Sequence, residues 1–261
     1  MQNFEQRLAD LDLSLFERIH SQTTTNDKRS LLAIQQATGE VRPSFTYLEI
    51  GSYVGGSIQP YLFDRKCERI ISIDKRPVVA ADDRGIDQIY INNTTEYMLN
   101  NLRQVSEVGV GKITTIDGDV SEINPARVDS RPDLCFIDGE HTDAATWRDF
   151  EFCRKVMADN GAIIFHDAMI IYNSLSRAIE SLRASGLKVR AYNLPDVVFV
   201  IEVGDFPLHR SRAISEMLAD NHVGYLNSLR FTDQYRQFAN RSLFRFARKL
   251  KTKWTRSNVT K

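Results

Sequence analysis

Seven short apolar runs, most of them separated by helix-length stretches, constrain the fold of this chain more than any other feature. The runs are FTYLEIG, RIISID, KITTIDGD, PDLCFIDG, GAIIFHD, LKVRAYN and VVFVIEV. β-Rich runs that alternate with helical segments are typical of an α/β fold, in which helices cover both faces of a mainly parallel sheet. Only NLPD joins the last two runs, so we expect an antiparallel pair at one edge of a doubly wound, seven-stranded sheet.

The regions that flank these runs have a different pattern. Residues 1–40 place apolar residues at helical spacing, which predicts an N-terminal extension of two helices and a loop. Residues 41–205 form the predicted α/β domain, with helix-length stretches at 95–108 and 144–157. Residues 206–261 form a predicted C-terminal helical extension.

The end of the C-terminal extension is strongly basic. Residues 230–261 contain ten Lys or Arg and one acid, Asp233, so this tail carries a formal charge of +9 in a chain of zero net charge. The segment SLFRFARKLKTKW places Leu243, Phe246 and Leu250 on one helical face. A basic amphipathic helix either docks through its apolar stripe or contacts an anionic membrane surface or an acidic partner, and the sequence leaves these alternatives open.

Composition excludes several classes of protein. With 42% hydrophobic and 26% charged residues, the chain resembles an ordinary globular protein, and nothing global indicates binding to nucleic acid. The first twenty residues lack the pattern of a signal peptide, and no apolar run approaches the length that spans a bilayer, so we expect a cytoplasmic protein. Cys67, Cys135 and Cys153 have no CxxC spacing, and we expect them to be buried packing residues rather than a reactive site.

Polar residues end the first five predicted strands. In a doubly wound sheet, ligands bind beyond the carboxyl ends of the strands, so these residues are expected to converge. They are Glu49, Gly51, Asp74, Asp117, Asp119, Asp138, His141, His166 and Asp167.

The segment YLEIGSYVGGS has the character of a ligand-binding turn. Glycine lets the main chain approach a ligand closely, and the acid at Glu49 can accept a hydrogen bond from an ammonium group or from water. The spacing of Gly51, Gly55 and Gly56 does not match the G-x-G-x-x-G motif of dinucleotide-binding proteins. Asp74 ends the next run, where a nucleoside-binding sheet offers a carboxylate to the ribose hydroxyls, although a lone Asp there is also common in structural turns.

Together, LEIGSYVGGS, SID and IDGD resemble the class I S-adenosylmethionine-dependent methyltransferases, which have a Rossmann-like fold. The glycine turn is most similar to that of the catechol O-methyltransferase branch, and the resemblance covers roughly residues 45–203. It implies that Glu49, Gly51 and Ser57 border the methionine part of the cofactor. It further implies that Asp74 binds the ribose, that Asp119 and Val120 border the adenine, and that Asp138 also contacts the cofactor.

Two carboxylates follow neighbouring predicted strands and suggest a metal site. Asp138 and Asp167 would repel each other unless a cation lay between them, and a divalent ion such as Mg²⁺ accepts such oxygens. Alternatively, Asp138 contacts only the cofactor and Asp167 caps a helix. His141 lies three positions after Asp138, where a neutral imidazole can take a proton from a hydroxyl, although an isolated His is usually structural.

The DGEH segment resembles the metal-dependent sugar O-methyltransferases, which share an I-D-G-x-H stretch and a later H-D or E-D pair. The resemblance implies that Asp138, His166 and Asp167 are metal ligands and that His141 is the base. The chain departs from the catechol-type enzymes at Ala168, where they have Asn, and it has His166 where some sugar enzymes have Glu. Histidine favours Mn²⁺ or Zn²⁺ over Mg²⁺, so all three ions stay candidates.

The sequence thus predicts a divalent-metal-assisted O-methyltransferase that uses S-adenosylmethionine and methylates a hydroxyl of a small molecule, sugar or glycan. Aligning the sulfonium with that hydroxyl and removing the hydroxyl proton suffices for methyl transfer. The alternatives are a non-catalytic nucleoside-binding or oxygenase-like relative and, with less support, an NAD-linked oxidoreductase. The acceptor and the oligomeric state stay open, and a homo-oligomer is one possibility. Residues near the strand ends either line an acceptor pocket or pack, namely Tyr53, Met169, Ile171 and Tyr172.

Overall fold

The computed structural model of the protein describes residues 3–80, 88–219, 221, 222 and 226. Nine strands lie in these ranges: β1 Phe45–Ile50, β2 Cys67–Asp74, β3 Val79–Ala80, β4 Gln88–Ile89, β5 Ile113–Asp117, β6 Leu134–Ile137, β7 Gly161–Phe165, β8 Val189–Asn193 and β9 Phe199–Val203. The seven runs that the sequence singles out all form strands of one sheet, while β3 and β4 form a separate antiparallel pair.

The described helices are α1 Phe4–Ala9, α2 Thr25–Val41, α3 Gln59–Phe63, α4 Thr95–Val105, α5 Glu107–Val110, α6 Asp143–Val156, α7 Tyr172–Ala184 and α8 Arg212–Ala219. Short 3₁₀ turns occupy Leu13–Phe16, Pro125–Arg127 and Leu208–Arg210. The two helices predicted within the α/β domain correspond to α4 and α6. No helix in the described ranges combines the length and the apolar character needed to cross a bilayer.

The large sheet has the strand order β5-β2-β1-β6-β7-β9-β8. Its first five strands are parallel to one another, and β9 runs antiparallel to both β7 and β8. The chain builds outward from β1 to β2 and β5, and then returns to the other side of β1 with β6 and β7. The predicted Rossmann-like sheet and its antiparallel edge pair are therefore confirmed.

Two apolar clusters sandwich the sheet, because alternate side chains of each strand point to opposite faces. In β6, Phe136 packs in the cluster that includes α2, α3 and α4, whereas Cys135 packs in the cluster that includes α6 and α7. The three cysteines are free and buried, and burial raises the pKa of the Cys67 thiol well above its usual value. They are packing residues, as expected.

The N-terminal helices contribute to the first of these clusters. Leu32, Ala33 and Ile34 of α2 are fully buried there. The segment before α2 is bound by Gln59, whose side-chain oxygen accepts from the Ile19 backbone N–H at 2.9 Å. The side-chain amide of Gln59 also donates to the Gly56 carbonyl at 2.8 Å. The segment that precedes α2 is thus tied to the glycine turn.

These elements belong to the first of two units of the chain, Met1–Asn221. The predicted basic helix at the C-terminus falls in the second unit, His222–Lys261, and lies outside the described residues. The domain boundaries proposed from the sequence at residues 40 and 205 stay a prediction.

Candidate active site

The residues predicted to form a site lie along one edge of the sheet. The strands that carry them, β5, β2, β1, β6 and β7, are adjacent and parallel, so their carboxyl ends share that edge. Asp74 and Asp117 are direct neighbours in the pairing of β2 with β5. The convergence expected from the sequence is therefore present.

The glycine turn begins where the strand order reverses, between β1 and β6. Open α/β sheets bind ligands at this switch point. Gly51 has a φ of +93°, and a Cβ there would lie 2.1 Å from the carbonyl oxygen of Asp138. No side chain fits at such a distance, so glycine is required where the turn passes the end of β6.

Glu49 is a buried acid at the end of β1, with 0% of its surface exposed. Its carboxylate accepts from the Tyr47 hydroxyl at 2.6 Å and from the Ser57 hydroxyl at 2.5 Å. Burial raises the pKa of Glu49 to about 8, although these two hydrogen bonds oppose the shift. Glu49 therefore holds a proton near neutral pH, and a cationic group placed beside it would favour the ionised form.

Asp74 is held in place by the turn that follows β1 and by its own loop. Its carboxylate accepts from the backbone N–H of Tyr53 at 2.9 Å and of Arg76 at 2.7 Å. The guanidinium of Arg76, 10% exposed, lies 3.4 Å from the same carboxylate and donates to the Tyr53 carbonyl at 2.7 Å. Arg76 is not among the residues predicted from the sequence. Its position two residues after the strand-ending acid was the available signal.

A buried acid of α6 lies near the region predicted to border the adenine. Asp119 accepts from the Ser121 N–H at 2.9 Å, and Val120 is buried in the apolar cluster that includes α6. Asp149 of α6 is also buried, and burial together with the nearby Asp119 carboxylate raises its pKa to about 7. Asp149 was not identified from the sequence, because mid-helix acids usually face solvent and nothing local distinguishes it.

Asp138, His141, His166 and Asp167 meet at the ends of β6 and β7, and we call this group the carboxylate–histidine cluster. One donor atom from each of Asp138, His141 and Asp167 lies within 4.8 Å of the other two. His141 Nε2 is 3.1 Å from Asp167 Oδ2 and 3.9 Å from Asp138 Oδ1. His166 Nδ1 is 3.2 Å from Asp138 Oδ1 and 3.3 Å from Asp167 Oδ2.

The charges in this cluster are strongly coupled. Burial opposes ionisation of Asp138, but the positive charge of His166 and the hydrogen bonds of both histidines outweigh it and lower the Asp138 pKa to about 2. Burial also opposes the charged form of His166, yet Asp138, Asp167 and Asp27 raise the His166 pKa well above its usual value. Without another cation, these carboxylates therefore favour the positively charged form of His166.

Two carboxylate oxygens and one or two imidazole nitrogens form a donor set that fits a divalent ion. The ligand set predicted from the sequence contains His166, whereas the compact three-residue group contains His141. Asp167 has a φ of +54°, a conformation that L-residues rarely adopt and that is often found at functional sites. The backbone thus directs this carboxylate toward the cluster at some conformational cost.

Asp27 extends the cluster into the N-terminal helices. It is fully buried, and its Oδ2 lies 3.5 Å from His166 Nε2. Asp27 is not among the site residues predicted from the sequence. Thr24 and Asp27 form a capping box at the start of α2, and this S/T-x-x-D/E type of pattern was visible in the sequence only as a helix-start signal.

Part of the chain matches a known protein family. Residues 48–168 match the model of a family described as a methyltransferase domain. This region is a methyltransferase domain. The match begins within β1 and ends just after β7, and it includes the glycine turn and the whole carboxylate–histidine cluster.

Solved methyltransferases share the fold of this domain. The calicheamicin methyltransferase CalS11 is 18% identical with a TM-score of 0.51, and the alignment covers 77% of this chain and 92% of that one. The O-methyltransferase TomG from Streptomyces achromogenes, solved in complex with SAM, is 13% identical with a TM-score of 0.50, covering 78% and 90%.

A curated relative matches a shorter region. An uncharacterized protein of Acanthamoeba polyphaga mimivirus is 29% identical over 129 residues, which cover 48% of this chain and 52% of that protein. The chain therefore spans about half the length of the curated relative that it matches.

The four residues near the strand ends for which the sequence leaves a choice between an acceptor pocket and packing differ in their exposure. Ile171 is buried in the apolar cluster with α6 and α7, so it packs. Met169 and Tyr172 are 39% and 61% exposed beside the end of β7. Tyr53 packs its ring against Tyr90, with 5.0 Å between ring centroids, and donates its hydroxyl hydrogen to the Ile91 carbonyl. Met169 and Tyr172 are thus the more accessible members of the set.

Proposed function

We propose that this protein transfers the methyl group of S-adenosylmethionine to a hydroxyl oxygen, with a divalent ion bound in the carboxylate–histidine cluster. One observation carries the proposal: donor atoms of Asp138, His141 and Asp167 lie within 4.8 Å of one another at the strand ends next to the glycine turn. A cofactor turn alone does not need such a group. A general base and two carboxylates beside it suit the activation of a hydroxyl.

Glu49 and Asp74 hold the cofactor in this proposal. Glu49 lies at the switch point, where its carboxylate accepts from the ammonium of the methionine part and is supported by the Tyr47 and Ser57 hydroxyls. Asp74 accepts from the ribose hydroxyls and is already oriented by backbone N–H groups. Asp119 and Val120 border the adenine. Preorganised partners of this kind reduce the entropy lost on binding.

His141 is the proposed base. Neutral His141 takes up the proton of the acceptor hydroxyl, and the oxygen then attacks the methyl carbon. The carbon–sulfur bond breaks, its electron pair stays on sulfur, and S-adenosylhomocysteine leaves. Asp167, at 3.1 Å, stabilises the imidazolium that forms.

Asp138 and Asp167 are the proposed carboxylate ligands of the ion, with His166 as the third ligand through Nδ1. A bound divalent ion would supply positive charge that lowers the pKa of an acceptor hydroxyl. Mg²⁺ favours the two carboxylates, whereas the imidazole favours Mn²⁺ or Zn²⁺.

The proposed acceptor is a small molecule or a sugar that bears a free hydroxyl. One of the solved structures with this fold, at 15% identity and a TM-score of 0.51, is described as a TDP-rhamnose 3′-O-methyltransferase. The exposed side chains of Met169 and Tyr172 beside the cluster would contact the body of the acceptor.

Thermal unfolding with combined ligands tests both halves of the site. S-adenosylmethionine and S-adenosylhomocysteine should each raise the melting temperature, and Mg²⁺, Mn²⁺ or Zn²⁺ should add a further increase that EDTA removes. Release of S-adenosylhomocysteine from a panel of hydroxylated sugars and phenols then identifies the acceptor. No stabilisation by either nucleoside, confirmed by calorimetry, would refute the proposal.

One observation favours a second, metal-independent mechanism. The raised pKa of His166, caused mainly by Asp138 against the effect of burial, favours an imidazolium that offsets part of the negative charge of the neighbouring carboxylates. His141 would then act as the general base, supported by the Asp167 carboxylate, without an ion. Full turnover in EDTA with an identified acceptor would select this mechanism.

A further inference from the structure

The N-terminal helix α2 places a buried carboxylate behind the carboxylate–histidine cluster. Asp27 has 0% of its surface exposed. Its Oδ2 accepts from the Thr24 backbone N–H at 3.1 Å, and its Oδ1 accepts from the Val197 N–H at 3.2 Å. Each carboxylate oxygen of Asp27 is therefore oriented by a backbone N–H from a different segment of the chain.

His166 connects Asp27 to the cluster. Only 10% of its side chain is exposed, and the ring directs Nδ1 toward Asp138 and Asp167. Its other nitrogen, Nε2, is buried without an ideal hydrogen bond, and Asp27 Oδ2 lies 3.5 Å from it. A shift of a few tenths of an ångström would complete an Nε2–H to carboxylate hydrogen bond.

The loop between β8 and β9, which contains Val197, also holds Asp27 and His166 in place. The Ala168 N–H donates to the Val197 carbonyl at 3.0 Å, while the Val197 N–H donates to Asp27. The peptide units of Val197 thus lie between the helix that carries Asp27 and the loop that carries His166. Asp27 and His166 are held together by more than their own contact.

We propose that Asp27 is a positioning residue of the metal centre, which holds the proton of His166 on Nε2 and leaves the Nδ1 lone pair free to bind the ion. This inference rests on the metal half of the proposed function. A metal-bound histidine usually donates its second N–H to a carboxylate or carbonyl, which fixes the tautomer and the ring orientation. Asp27 is the carboxylate in that position, and it makes the N-terminal helix part of the active site.

Metal binding by the full chain tests the inference without an acceptor. Calorimetry with Mn²⁺ and Zn²⁺, in the presence of S-adenosylhomocysteine, should give an affinity that Asp27→Asn lowers about 10- to 100-fold, the usual effect of removing such a partner. S-adenosylhomocysteine affinity in the same variant should stay within about twofold, because the amide substitution leaves the glycine turn unchanged. Asp12→Asn is the matched control: Asp12 also caps an N-terminal turn, through the Ser14 N–H at 2.9 Å, and should leave metal affinity unchanged.

A double-mutant cycle separates positioning from loss of structure. In a His166→Gln background, Asp27→Asn should cause no further loss of metal affinity, because the group that it positions has gone. Histidine ¹⁵N NMR of the wild-type Zn²⁺ complex should show His166 protonated at Nε2 and metal-bound at Nδ1. Because this spectrum requires only the wild-type protein, it tests the role of Asp27 even if Asp27→Asn does not fold.

The two proposals fail in different ways. If the wild-type chain binds none of the three ions, the metal half of the proposed function is wrong and the role of Asp27 is lost with it. If the wild type binds an ion and Asp27→Asn binds it equally well, or if the NMR spectrum shows the opposite tautomer, only the role of Asp27 is wrong.

Discussion

His141 Nε2 lies 3.1 Å from Asp167 Oδ2, although the two residues follow different strands of the sheet. β6 and β7 are parallel neighbours, so the loops after them start from the same edge. An imidazole beside a carboxylate is the usual arrangement of a general base, because the carboxylate stabilises the imidazolium. The same distance also permits His141 and Asp167 to share an ion.

Replacing each histidine distinguishes base from ligand. If His141 is the base, His141→Ala should slow turnover about 10²-fold or more and leave metal affinity within about threefold. His166→Ala should instead reduce metal affinity. S-adenosylhomocysteine release and Mn²⁺ calorimetry measure the two effects. Equal loss of metal affinity in both variants would make His141 a ligand and remove it as the base.

Asp167→Asn should lower metal affinity about 10-fold or more with little change in the backbone. Asn tolerates the left-handed conformation, φ +54°, that Asp167 adopts, whereas Ala would add strain. Asp196→Asn is a matched control, because Asp196 is also left-handed, with φ +66°, and lies outside the carboxylate–histidine cluster. Calorimetry with Mn²⁺ in the two variants makes the comparison. Metal affinity that is unaffected in Asp167→Asn would contradict the assigned ligand.

Glu49 should make cofactor affinity depend on pH. Its pKa is raised to about 8 by burial, so it is protonated in the free protein at pH 6 to 7.5. The cofactor ammonium favours the ionised form, so binding releases a proton and affinity should rise with pH, at most tenfold per unit, toward a plateau near pH 8.

In Glu49→Gln this rise should disappear and affinity at pH 7.5 should fall. Calorimetry in buffers of different ionisation enthalpy counts the released proton directly. Ser57→Ala is a useful companion, since Ser57 donates to Glu49 at 2.5 Å but carries no charge, and it should keep the pH dependence. A pH-independent wild type would show that Glu49 does not meet the ammonium.

The sequence predicted those parts of the site that follow from local pattern. Gly51 directly follows one strand and Asp74 is the last residue of the next. The alternation of strands and helices predicts parallel strands, whose carboxyl ends share one edge of the sheet. The same reasoning brought Asp138 and Asp167 together. Their individual roles stay predictions, since position alone does not establish a ligand or a base.

The residues that sequence reasoning missed come from long-range packing. Asp27 belongs to a helix whose apolar positions, such as Leu32 and Ile34, predict burial without naming the surface that covers them. Its contact with His166 depends on how α2 lies against the sheet. Arg76 appears as one more charged residue after a strand, and only the fold shows its guanidinium beside Asp74.

Asp149 supplies a prediction about stability. Burial and the Asp119 carboxylate raise its pKa from 3.8 to about 7, so the folded state prefers the protonated form. The unfolded chain binds fewer protons at this site between pH 4 and 7, and the contribution of Asp149 to stability therefore falls as pH rises through that window. Above it, the buried charge costs roughly 2–4 kcal/mol.

Asp149→Asn removes the charge and should raise the melting temperature at pH 8 by roughly 4 to 8 °C, with little gain at pH 5. Glu151→Gln, at an exposed position of the same helix, should change it by less than about 1 °C at either pH. Calorimetric scans of the three proteins at pH 5, 6.5 and 8 give the comparison. A gain of the same size at every pH would mean that the substitution improves packing and that Asp149 does not titrate in this range.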